Sequence, residues 1–193
     1  MSKLNFLILD CGCENFGQGG TLNHYFTATA KDLLTGLGHS VEVTRVGEEW
    51  SIPEEVKKIQ KADVIIVQTP GWWMGPPWQL KRYEDWVFIQ QGVCGNDGRH
   101  ASTPNEGYGT GGILTNKKYL LSSTWNAPLA AFEEKGQFFG GVGIDGVFLP
   151  VHKAFQFLGM KPLPSFMAND VLKNPQIPED IERFKEHLTK LFA

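Results

Sequence analysis

Three short segments of this chain have the composition of ligand-binding loops. The first, Phe16-Gly17-Gln18-Gly19-Gly20-Thr21-Leu22-Asn23, sets three glycines just ahead of a helical pattern. Glycine lets backbone N–H groups come close to a phosphate, and a helix start adds free N–H groups and the positive end of its dipole. The segment lacks the Gly-Lys-Ser/Thr of a nucleotide-hydrolysing loop and the full G-x-G-x-x-G of a dinucleotide fingerprint. The second, Pro70-Gly71-Trp72-Trp73-Met74-Gly75-Pro76-Pro77-Trp78, crowds large aromatics into a stretch too rich in Pro and Gly to be a core element. Such a loop can wall a flat apolar pocket for a tricyclic ring, or face a second subunit. The third, Thr124-Trp125-Asn126-Ala127-Pro128, offers backbone N–H groups to the electron-rich edge of such a ring.

Other chemistry is thinly represented. There is no G-x-S-x-G elbow and no nucleophile–base pair. His24, His39, His100, His152 and His187 are scattered without zinc-site spacing. His24 lies close enough to the first loop to touch a phosphate, while His39 and His187 read as surface residues. Cys11, Cys13 and Cys94 cannot make a full disulfide framework, which suits a reducing cytoplasm. The Cys11-x-Cys13 pair reads as thiols at the end of a buried strand.

These segments need a scaffold, and the hydrophobic pattern supplies one. Phe6–Leu9 is a continuous apolar run that reads as a buried parallel strand, and the β-branched run within 63–69 marks a third strand buried on both faces. Val41–Val46 alternates as a second strand, Tyr119–Ser123 reads as a fourth, and Pro164–Ala168 as a short fifth. Between them, Leu22, Phe26, Leu33, Leu34 and Leu37 fall at helical spacing, with Gly38 to close the helix. Ser51-Ile52-Pro53-Glu54 predicts a capped start for a helix running to about Ala62. Further helices are expected from Trp78 to Phe88, from Ile144 to Leu158, and after Pro178, where Ile181, Phe184, Leu188 and Leu191 form one stripe. The alternation implies an α/β fold: a five-stranded parallel sheet with helices on both faces, in a single domain over residues 1–193. All three chemical segments then leave the carboxyl ends of strands, where open α/β sheets bind ligands.

Composition agrees. The chain has 193 residues, 41% hydrophobic and 20% charged, with a formal net charge of −3. That charge disfavours nucleic acid and anionic membranes as main partners. No apolar stretch approaches membrane-spanning length, so no stable membrane insertion is expected.

The two aromatic segments also carry a resemblance. Pro70-Gly71-Trp72-Trp73-Met74-Gly75 and Leu121-Ser122-Ser123-Thr124-Trp125-Asn126-Ala127-Pro128 resemble the flavodoxin-like quinone reductase family. So do Tyr108-Gly109-Thr110-Gly111-Gly112, Gly141-Val142-Gly143-Ile144-Asp145-Gly146, His152-Lys153-Ala154 and Phe157-Leu158-Gly159-Met160. The resemblance implies a homodimer that binds FAD and uses NADPH to reduce quinones by two electrons in a ping-pong reaction. It places FAD contacts at Gln18, Gly19, Gly20, Thr21, Leu22, Asn23, His24 and Tyr25, at Gly71, Trp72, Trp73 and Met74, at Tyr108, and at Thr124, Trp125, Asn126 and Ala127. The chain departs from the family at Gln18 or Gly19, where Ser or Asn is common, and at His24, where an acid can stand. The Tyr and His that assist hydride transfer in mammalian relatives have no counterpart between Pro128 and Gly140, where Phe132, Phe138 and Phe139 stand instead. The alternatives are an FMN-dependent azoreductase-like enzyme, a regulatory subunit of a potassium efflux system, and a plain electron carrier.

Overall fold

A computed structural model describes residues 3–14 and 19–193. β1 (Asn5–Asp10), β2 (Ser40–Arg45), β3 (Val64–Pro70) and β4 (Lys118–Thr124) form a parallel sheet in the order β2-β1-β3-β4. β3 is buried along its whole length, as its β-branched run demands. The fifth position is split. β5 (Lys161–Pro162) pairs with the start of β4 and β6 (Phe166–Ala168) with its end. Pro162 and Pro164 lack the N–H groups that a continuous strand would donate.

Helices cover both faces. α1 (Thr21–Gly36) and α7 (Ile177–Phe192) lie on one side, where Phe26, Ala30 and Leu34 meet Ile181, Phe184 and Leu188 over Phe6, Ile8, Val64 and Ile66. α2 (Ile52–Lys61), α3 (Trp78–Tyr83), α4 (Ala130–Glu133), α5 (Gly143–Val147) and α6 (Leu149–Phe157) belong to the other side, over Leu7, Leu9, Ile65 and Val67. α3 runs on into a π-helical turn, Glu84–Phe88.

Three expectations change. The helix predicted over 144–158 is two helices broken at Phe148, because Pro150 has no N–H to continue the ladder and instead opens α6. Ser51 begins α2 without a side-chain cap, and Glu54 pairs with Lys57 at 2.9 Å rather than reaching back. His39 is buried, not on the surface: it accepts from the Leu4 N–H at Nδ1 (3.2 Å), and its Nε2 donates to the Phe192 carbonyl at 3.1 Å. His187 is half-buried and reaches the Pro164 carbonyl at 2.8 Å.

From β1 the chain crosses to β2 on one side and later returns to β3 on the other. The loops after β1 and β3 therefore diverge at the carboxyl edge and leave a crevice.

Candidate functional site

Backbone bonds bring the strand ends into one row. Cys11 N–H donates to Gln68 O (2.8 Å), Gly71 N–H to Thr124 O (2.9 Å) and Trp125 N–H to Ala168 O (2.9 Å). Above this row lies a cleft of about 700 Å³, lined by Gly19, Gly20, Thr21, Leu22, Asn23 and Tyr25 from the first loop and α1, by Pro70, Gly71 and Trp72, and by Thr124 and Asn126. The three segments singled out by composition thus share one cavity. Gly19 backs onto the second loop: a Cβ there would stand 3.7 Å from Cζ2 of Trp72. Gln18 lies outside the described residues.

The cleft has one polar end and one apolar end. α1 begins with no capping side chain and no acidic residue in its first turn, so the helix start keeps its N–H groups free. Gly19 (φ 103°) and Gly20 (φ 84°) hold the left-handed backbone that turns the chain into α1. The opposite wall is Val171, Leu172 and Ile177, from the segment that follows β6. Composition did not mark these three; the strand-end rule, extended to the last strand, could have found them.

A second, smaller cavity of about 280 Å³ adjoins the first through Gly71 and Asn126. Trp73, Met74, Ala127, Phe138 and Phe139 line it, with Trp125 beneath. Trp73 and Met74 are both left-handed (φ 47° and 64°), closed by reciprocal bonds between Trp72 and Gly75 (2.7 and 3.0 Å). Strain in non-glycine residues of this kind gathers at functional sites. It leaves Trp73 97% exposed. Among the described residues, the N–H groups of Asn126 and Ala127 have no acceptor.

The side chains of Asn23 and Trp125, at the edge of the cavities, are engaged in the fold, and His24 and Tyr108 lie away from them. Asn23 is buried: its amide donates to Thr124 Oγ1 (3.1 Å) and accepts from Gln68 Nε2 (2.9 Å), tying α1 to β3 and β4. His24 faces away from the cleft and holds buried Asp10 at 2.6 Å. Trp125 is 4% exposed, its ring packed on Phe132, Phe139 and Phe148. Tyr108 does not line the cleft; it is exposed and packs on Phe157 of α6. Burial pushes the Cys11 thiol up, and burial with nearby Asp10 pushes Cys13 up to about 11, so neither is a ready thiolate.

The donor set fits a flavin. Open N–H groups and glycines suit its phosphates, the junction at Gly71 suits a flat ring, and the small aromatic cavity suits a second ring stacked on it.

Comparison with known proteins agrees with this geometry. Residues 5–191 match the family model described as a flavodoxin-like fold. The chain is 43% identical to NADPH:quinone oxidoreductase MdaB of Haemophilus influenzae, over 98% of this chain and 100% of that one. It is 50% identical to an uncharacterized protein of Schizosaccharomyces pombe, over 97% of each chain. Among solved structures, NAD(P)H:quinone oxidoreductase from Methanothermobacter marburgensis superposes with a TM-score of 0.69 at 16% identity, covering 100% of this chain and 98% of the other.

Proposed function

This chain belongs to the family with the flavodoxin-like fold, and from that premise we propose that it is an NADPH:quinone oxidoreductase that works with bound FAD as a cytoplasmic homodimer. The observation that carries the reading is the meeting of three separate strand-end loops around Gly71 and Asn126, with a long cleft on one side and a small aromatic cavity on the other. When bound, FAD would supply two-electron hydride exchange, with NADPH and the quinone taking turns in a ping-pong sequence.

The protein's part is binding, orientation and exclusion of water. The start of α1 receives phosphate oxygens. The cleft continues past that point to Leu172 and Ile177, which favours a dinucleotide over a mononucleotide. Gly71 lets the flat ring approach the backbone, and the free N–H groups of Asn126 and Ala127 steady negative charge at its edge. Trp73, Phe138 and Phe139 wall the space for nicotinamide or quinone. Exposed Trp78, Trp86, Ile89 and Tyr108 support a subunit contact. Among the described residues, no helix is long and apolar enough to cross a membrane.

The test is to purify the protein, release its cofactor by heat, identify it by chromatography, and assay NADPH against NADH with menadione. FAD with NADPH-driven turnover supports the proposal. FMN, or flavin without turnover, overturns it in favour of the azoreductase-like or regulatory alternative.

A further inference from the structure

One face of α1 carries a second cluster of polar groups. His24, Thr27, Ala28 and Lys31 follow the spacing that puts helical residues on one side. Val43 and Arg45 of β2 stand opposite, and together they enclose a cavity of about 400 Å³ that shares no lining residue with the cleft above the strand ends.

The acids of this cavity are already engaged. Asp10, 1% exposed, accepts from the Gly12 N–H (2.9 Å) and from Nδ1 of His24 (2.6 Å). Glu48 holds Arg45 at 3.0 Å, an exposed pair that contributes little and yields readily to a stronger partner. The other groups are open. Among the described residues, Lys31 makes no ion pair and Nε2 of His24 makes no hydrogen bond. Thr27 is 5% exposed, and its hydroxyl has no partner among the described residues. A buried hydroxyl left unpartnered costs free energy that a bound ligand relieves.

We propose that this cavity is a binding site for a phosphate monoester. Lys31 from α1 and Arg45 from β2 bring positive charge from two elements, and the guanidinium keeps a nitrogen beyond the one that holds Glu48. Asp10 orients the His24 ring through Nδ1 and leaves Nε2 to the ligand. The Thr27 hydroxyl gains its missing partner. Groups converging from several directions suit a tetrahedral dianion better than a planar carboxylate. Two sources offer this group: free inorganic phosphate and the 2′-phosphate of NADPH. Only the second rests on the coenzyme proposed above.

The experiment is calorimetric titration of sodium phosphate into the flavin-loaded full chain at fixed ionic strength, with flavin keeping the added anion away from the start of α1. The parent should bind phosphate, and K31A should bind it about tenfold or more weakly, as expected for loss of a charge-assisted contact. T27V keeps the shape of the side chain and removes the unpartnered hydroxyl, so it should hold the parent's melting temperature and still bind phosphate less tightly. No binding, an equal response to chloride, or parent-like affinity in either variant overturns the assignment. KM values with menadione then tell the sources apart. A KM that rises in K31A for NADPH and not for NADH identifies the 2′-phosphate, whereas unchanged KM values with weakened phosphate binding identify the free ion. A chain without turnover fails as the proposed enzyme, while the titration still tests the cavity.

Discussion

Replacing Gly71 by alanine probes the junction of the two cavities. A Cβ at Gly71 would fall well inside 3.0 Å of the Trp125 indole. The ring cannot retreat, because Phe132 and Phe148 hold it at centroid distances of 5.1 and 5.5 Å. The backbone cannot retreat without losing the 2.9 Å bond from Gly71 N–H to Thr124 O. Overpacking of this kind costs about 1–3 kcal/mol. In a chain of this size each kcal/mol lowers the melting temperature by about 2–4 °C, so a fall of roughly 4–8 °C is expected for a cost near the middle of that range. The displaced loop also moves the wall shared by both cavities, and flavin affinity should fall about tenfold or more, since tenfold corresponds to about 1.4 kcal/mol. Calorimetry of the apo chain and flavin titration measure the two effects. Trp125→Phe should recover part of the loss when combined with Gly71→Ala, because the smaller ring leaves room. A Gly71→Ala chain that melts with the parent and binds flavin equally well refutes the reasoning.

The other predictions concern single groups. Glu84 has a folded pKa raised from 4.5 to about 7, so its contribution to stability is complete below about pH 4.5 and is lost as pH rises through about 7. The loss amounts to at most about 3 kcal/mol, and denaturant titrations of E84Q across that window should lack the slope seen in the parent. Trp73 is 97% exposed, so Trp73→Ala should leave thermal stability nearly unchanged while raising KM for quinone; an unchanged KM removes Trp73 from the site. Cys11 and Cys13 are buried and Cys94 is half-buried, so a thiol reagent should label the folded chain at Cys94 first, with peptide mapping as the readout. His24→Ala leaves buried Asp10 without its 2.6 Å partner and should destabilise the chain by about 1–3 kcal/mol, measured by chemical denaturation.

Strands were legible because burial on two faces leaves long apolar runs, as at 64–67, and the stripe of α7 was legible because it has one period. What escaped depends on distant contacts. His39 looks like a surface residue until Leu4 and Phe192, at the far ends of the chain, supply its partners. Asn23 sits in a ligand-like loop, yet Gln68 and Thr124 draw its side chain inward. The loops of the site were visible from their glycines and tryptophans. Val171, Leu172 and Ile177 were not, because ordinary aliphatic residues become a cleft wall only through the sheet's topology.

The interruption between β5 and β6 has a consequence for solubility. An uninterrupted outer strand would present a row of open donors and acceptors on which a stranger's extended chain could grow. Here Pro162 and Pro164 break that row, and at the opposite margin Glu42 of β2 is bridged by Lys61 at 2.6 Å. Both margins of the sheet are therefore poor templates for fibrillar stacking, so crowded or partly unfolded chains should be slow to seed amyloid-like aggregates.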